Sequence, residues 1–223
     1  MMTRFILYLI PIGIMQIFFN LHSGIGSDIP TEIQLTKSQE DSISRDKIVV
    51  RELDAADRPG KIYESTGLIK ASVNEVYSVL TDFKSYNEFM PNNEETKILR
   101  INSQSALLNM TLALPLKKVK KYTLQMDFEK KNGVAFLKWK NVDWPGLSQS
   151  QTIRETHGFW LIQNFPKKKS HVLAVYHVYI DPGPIPWGLG WIVNLLSRYS
   201  IPDIIIKTRN RVYEINGGMA GAE

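Results

Sequence analysis

The chain has 223 residues, 43% hydrophobic and 22% charged, a globular composition long enough for one domain with a sizeable core plus an appendage. It contains no cysteine, which excludes disulfides, thiolate nucleophiles, cysteine metal sites and a lipidated N-terminal cysteine. A formal net charge of +5 suits contact with an anionic membrane surface but is too weak a basic balance to imply nucleic acid.

The N-terminus reads as a segment apart. "MMTR", the apolar run "FILYLIPIGIMQIFF" and the small-residue stretch "NLHSGIGS" follow the charge, core and small-residue order of a secretory signal peptide, with Gly24 and Gly26 suiting cleavage after Gly26. An uncleaved anchor is the rival, but spanning takes about 20 apolar residues and Pro11 with Gly13 interrupts this run. Residues 1–27 thus predict export to a periplasm or outer surface, or an N-terminal anchor. Residues 28–46 are polar without clean periodicity and read as a linker. Residues 217–223 read as a flexible tail.

"KIVVREL" and "KIYESTGLI" predict two strands separated by the turn-forming "DAADRPG". The period then changes. Ser72 with Glu75 three residues on forms a capping box, and Val73, Val76, Tyr77 and Leu80 share one helical face. Asp82 or Ser85 is placed to cap a second short helix, "YNEFM", which Pro91 ends. Strands follow: "TKILRI" and "SALLNMTLAL" around "NSQ"; "KKYTLQMDFE" and "VAFLKWKN" around Asn132-Gly133, a strong hairpin signal; "SQTIRETHGFWLIQN" and "SHVLAVYHVYI" around "FPKKK". Pro182, Pro184 and Pro186 would each remove a ladder donor, so the last strand must stop near Asp181. From Trp187 to about Asn216 apolar residues recur at helical spacing (Trp187, Trp191, Leu195, Ile201, Ile204, Ile205, Val212), and Pro202 predicts a kink or two consecutive helices. Strand runs segregated from helices predict an α+β fold.

Tyr122, Leu124, Met126 and Phe128 alternate with polar residues, giving an antiparallel sheet one apolar face. A two-residue loop at Asn132-Gly133 sets Phe128 opposite Leu137 and Met126 opposite Trp139. Ala106, Leu108, Met110, Leu112 and Leu114 widen that face. The C-terminal helix is the one segment long enough to cover it. Pattern alone leaves open whether the helix fills the concavity or spans a cavity.

"ASVNEVYSVLTDFKSYNEFMP" resembles the helix-turn-helix opening of the START-like superfamily, which includes polyketide cyclases and coenzyme Q-binding proteins. "ETHGFWLIQN" and "YIDPGPIPWGLGWIVN" look more like the START lipid-transfer domains, and "LPLKKVKKYTLQMDF" is similar to their Arg-Asp-Tyr segment, with Lys120-Lys121-Tyr122 in that place. The resemblance covers residues 47–216. It implies a helix-grip fold, a curved antiparallel sheet wrapped around a long C-terminal helix with an apolar tunnel between them. It implies a lipid, sterol, isoprenoid or other hydrophobic small molecule as partner; no cofactor is expected. The residues expected to line the tunnel are Met110, Leu112, Tyr122, Leu124, Met126, Phe128, Leu137, Trp139, Glu155, His157, Trp187, Trp191 and Leu195.

Catalysis has few footholds in the sequence. Ser150, Ser170 and Ser197 lack a nucleophile-elbow context, and "GLGWIVN" lacks the strand–turn–helix frame of a phosphate site. His157 and His177 in adjacent predicted strands have no third metal ligand at useful spacing. Glu155 and His157 alternate onto one face, where they would be an acid–base pair or headgroup anchor if that face is the tunnel wall, or a salt bridge with Arg154 or a lysine if it is not. The Lys117, Lys118, Lys120, Lys121 cluster and Lys167–Lys169 read as solvated turns or as contacts to anionic headgroups.

Overall fold

The computed structural model describes the backbone of residues 35–184 and 190–217 and, within the second span, side chains from Tyr199 onward. The export segment, Trp187, the side chains of Trp191 and Leu195, and most of the expected tail lie outside the described residues.

Eight strands form one antiparallel sheet in the order β1-β2-β8-β7-β6-β5-β4-β3. They are β1 (Val49–Leu53), β2 (Lys61–Ile69), β3 (Asn93–Ile101), β4 (Ser105–Leu114), β5 (Lys118–Lys131), β6 (Val134–Val142), β7 (Glu155–Asn164) and β8 (Val172–Asp181). The β5–β6 hairpin turns on Asn132 and Gly133 at φ 52° and 76°, the positive pair that a tight primed turn requires. Its register pairs Phe128 with Leu137 and Met126 with Trp139, as the two-residue loop predicts. Strand β8 ends at Asp181, ahead of the prolines.

Between β2 and β3 lie α2 (Val73–Thr81) and α3 (Tyr86–Phe89), and α4 (Gly190–Ile215) closes the chain. The Ser72–Glu75 capping box starts α2. Neither Asp82 nor Ser85 caps the next turn; the Ser85 hydroxyl donates instead to the Asp82 carboxylate at 2.7 Å. Helix α4 runs unbroken through Pro202 and buries Ile201, Ile205, Thr208 and Val212 at helical spacing. Among the described residues no helix is long and apolar enough to cross a membrane.

The linker expectation needs correction. Residues 37–44 form α1 (Lys37–Ser44), started by a reciprocal Thr36–Gln39 capping box. Its Ile43 is fully buried in a second cluster with Leu68, Phe136, Leu161 and Leu173, on the sheet face opposite α4. Both faces of the sheet are therefore apolar at this end.

The space between sheet and α4 is half solid and half hollow. At the β5–β6 turn end, Val76, Leu80 and Phe83 from the α2 region plug the concavity against Phe128 and Leu137. Fully burying side chains of this size stabilises by about 1.5–3 kcal/mol each, so this end holds the domain together. At the other end of the strands a cavity remains.

A candidate ligand cavity

The cavity has a volume of about 480 Å³ and runs from the plug to the loops at the far end of the sheet. Strand β5 forms its floor: Lys120, Tyr122, Leu124 and Met126 share one face by alternation, and all four line the space. Met110 and Leu112 of β4 form one wall; Trp139 of β6, Trp160 of β7 and Tyr176 and Val178 of β8 form the other, where Trp139 stacks on Tyr176. Ile201 and Ile204 of α4 close it above. Of the tunnel residues expected from the sequence, Met110, Leu112, Tyr122, Leu124, Met126 and Trp139 thus meet in one place.

Phe128 and Leu137 do not line it. Both sit in the plug, where the Phe128 ring lies 5.5 Å from that of Phe83. The strand continues past the point where α2 fills the groove, and alternation along the strand cannot show where that happens.

Glu155 and His157 do not line it either. On β7 the inward positions are Thr156 and Trp160, so Glu155 and His157 point to the outer face. There Glu155 pairs with Arg58 at 2.7 Å, not with Arg154 or a lysine. His157 lies 3.2 Å from the same guanidinium and stacks on Tyr179 with ring centroids 5.0 Å apart. Burial and then Arg58 lower its pKa, against the opposing pull of Glu155, so its neutral form is favoured. His177 is on this face too, stacked on Phe159 at 4.9 Å.

Trp160, Tyr176 and Lys120 are cavity residues that the sequence reading missed. The first two belong to strands whose outer face is also apolar, at Leu161 of β7 and Leu173 and Val175 of β8, which blurs the inside–outside alternation. Lys120 had a readable signal: it stands two positions before Tyr122 and so shares its face.

The ionisable groups of the cavity fall into two sets. Deep inside, the Tyr86 hydroxyl donates to the Leu80 carbonyl, while burial pushes the Tyr122 hydroxyl up to about 12 and raises that of Tyr176 further, with nearby Tyr122 adding to the latter shift. Both Tyr122 and Tyr176 therefore remain neutral donors at ordinary pH. Near the mouth, Lys120 Nζ donates to the Thr152 carbonyl at 2.7 Å and to that of Pro182 at 3.1 Å. Burial lowers its pKa and Asp181 partly restores it.

The mouth is framed by Pro115 of the β4–β5 connection, Lys118 at the start of β5, Ser150 and Ile153 of the β6–β7 connection, and Pro182 and Pro184 after β8. Leu116, at φ 62°, stands 69% exposed beside it.

A sequence model of the family described as polyketide cyclase/dehydrase and lipid transport matches residues 69–178. The fold is also that of a STAR-related lipid transfer protein from Xanthomonas axonopodis (TM-score 0.64, 18% identity, 74% of this chain and 93% of that one). By that family match, residues 69–178 belong to the START-like superfamily. Human StAR-related lipid transfer protein 5 superposes with a TM-score of 0.63 at 12% identity, over 76% of this START-like chain and 83% of its own. A Streptomyces aromatase/cyclase, Zhui, does so with a TM-score of 0.55 at 13% identity, over 78% and 100% respectively. At these identities the structural likeness speaks for the fold, a curved open antiparallel sheet gripping a C-terminal helix, and not for the ligand. Among curated proteins none matches the sequence.

Proposed function

We propose that this START-like chain is an exported carrier that holds a hydrophobic small molecule or lipid beneath α4 and exchanges it through the mouth at an anionic membrane. The observation that carries the reading is the cavity wall: Met110, Leu124, Met126, Trp139 and Trp160 form an apolar surface that the plug seals at one end. A concave, mainly apolar space with few convergent polar groups is the usual form of a small-molecule site. Carriage is favoured over cyclase- or hydrolase-type catalysis because Glu155, the acid such a reaction would have used, is 46% exposed on the opposite face and paired with Arg58. Lipid transport in the family description and lipid transfer in the names of two of the similar folds support the same reading. Export rests on the signal-like order of residues 1–27.

The test is native mass spectrometry and organic extraction of the full-length protein purified from its own cells. A co-purifying lipophilic molecule is the expected result. Protein that is consistently empty, and that takes up no fluorescent fatty acid, sterol, quinone or phospholipid, would overturn the proposal.

A further inference from the structure

Lys120 is the feature that an apolar carrier alone does not explain. Its ammonium has three N–H donors, of which two are taken by the carbonyls of Thr152 and Pro182. Those two bonds fix the charge at the cavity margin, where the β6–β7 connection meets the segment after β8. Lys118, two residues upstream on the same face, also lines the space. No aspartate or glutamate does so among the described residues. The neighbouring carboxylate, Asp181, is already engaged: one oxygen accepts from Arg154 at 3.0 Å and the other from the Gly183 N–H at 2.9 Å. Two cations thus face an apolar chamber that no anion of the described residues lines.

A partly desolvated cation is unfavourable unless paired, and backbone carbonyls supply only partial compensation. An anionic group seated beside Lys120 would supply the rest through a charge-assisted hydrogen bond to the free donor. Burial already draws the Lys120 pKa down, and an adjacent anion would draw it back up. The cavity volume of about 480 Å³ falls in the lower half of the range of about 300–1,000 Å³ usual for small-molecule sites. That is the scale of one acyl chain or a few fused rings.

We infer that the ligand is an anionic amphiphile with a single apolar tail, its tail lying along Leu124, Met126 and Trp139 and its carboxylate or phosphate held at the mouth by Lys120. This rests on the carrier reading and narrows it to one ligand class. Lys118, more exposed, receives the headgroup on its way in, and Lys120 retains it.

The test uses the full-length protein loaded with a neutral, environment-sensitive lipophilic fluorophore, displaced at neutral pH by three C16 competitors: hexadecanoate, hexadecyl phosphate and hexadecanol. The parent should prefer at least one of the two anions over the alcohol by about tenfold or more. The preferred anion identifies the headgroup. In Lys120→Met, which keeps most of the apolar stem, the anion-to-alcohol ratio should collapse toward one, while Lys120→Arg should keep it. Should Lys120→Met fail to fold, the parent ratio and the arginine variant still decide. A parent that binds alcohol and anions alike, or a methionine variant that retains the preference, would overturn the anionic assignment and leave the carrier intact. Failure of the fluorophore and all three competitors to bind would instead count against the carrier itself.

Discussion

Arg154 and Asp181 join the start of the β7 side of the sheet to the end of β8, with Nη1 3.0 Å from the Asp181 Oδ2. The pair is lopsided: the carboxylate is 6% exposed and the guanidinium 49%. The other carboxylate oxygen accepts the Gly183 N–H, and Gly183 takes φ 75° with Arg154 directly beside it. One aspartate therefore ends the strand, turns the chain and fixes the direction in which the proline-rich connector leaves for α4. Removing the two partners should have unequal effects. Arg154→Ala strands a buried carboxylate and should cost about 2 kcal/mol, whereas Asp181→Asn keeps an acceptor for Gly183 and leaves a guanidinium that water can solvate, costing about 1 kcal/mol or less. Urea unfolding of the two variants measures this directly, and the reverse order would show that the connector is held by something else.

Gly158 is required by its neighbours and not by its own backbone angles. A Cβ there would lie 2.1 Å from the His177 carbonyl oxygen and 2.6 Å from the Trp139 indole. Backbone cannot give way cheaply, so β7 must shift from β8 or Trp139 must swing into the cavity. Gly158→Ala should destabilise by roughly 1–3 kcal/mol, the usual range for overpacking. It should also reduce uptake of a lipophilic probe beyond what the stability loss explains. Unchanged thermal stability would mean that the strand pair is more pliable than the contacts indicate.

The alkaline limb of stability should be steep. Burial raises the hydroxyl of Tyr122 to about 12, and raises Tyr176 and Tyr86 further still, whereas in the unfolded chain each ionises near 10. A folded-state pKa above the unfolded one gives a contribution that is complete below about pH 10. It is then lost as pH rises toward 12, at about 1.4 kcal/mol per pH unit for each such group, because only the unfolded chain releases the proton. Absorbance titration of phenolate should show these tyrosines silent until the fold collapses. A smooth titration near pH 10 of all nine tyrosines in protein that is still folded would contradict the burial that raises them.

Much of the fold was legible because its signals are local. Asn132-Gly133 fixes the β5–β6 register, Ser72 with Glu75 fixes the start of α2, and the proline series fixes the end of β8. What stayed hidden depends on contacts between distant segments. Helix α1 carried a capping box at Thr36–Gln39, but only Ile43 meeting Leu68 and Phe136 makes that short segment worth ordering. The outer faces of β7 and β8 are apolar as well, at Leu161, Leu173 and Val175, which is why Glu155 and His157 passed for cavity residues while Trp160 and Tyr176 went unnoticed. Whether the groove was filled or hollow was not a property of the sheet at all. It is set by where Phe83 and its neighbours stop, and Phe128 falls on the filled side while Met126 falls on the open one.

The mouth is where transfer should be won or lost. Leu116 projects from the β4–β5 connection at 69% exposure, with Lys117 and Lys118 immediately after it. Trp144 stands half-buried in the β6–β7 connection, the same connection that brings Ser150 and Ile153 to the cavity rim. Apolar groups flanked by cations suit a surface that dips into an anionic interface, each lysine contributing about 1 kcal/mol at most. Replacing Leu116 by serine and Trp144 by alanine together should slow transfer of a fluorescent lipid between anionic vesicles by roughly tenfold, from two apolar groups no longer buried in the interface. Added salt should slow the parent as well, because at 0.1 M charges are screened beyond about 10 Å, but it should slow the double variant by the same factor, since screening acts on the lysines and leaves the apolar term alone. Stopped-flow transfer rates at two salt concentrations, with neutral vesicles as the reference, separate the two contributions. Parent-like rates in the double variant, or rates indifferent to vesicle charge, would place the membrane contact elsewhere on the domain.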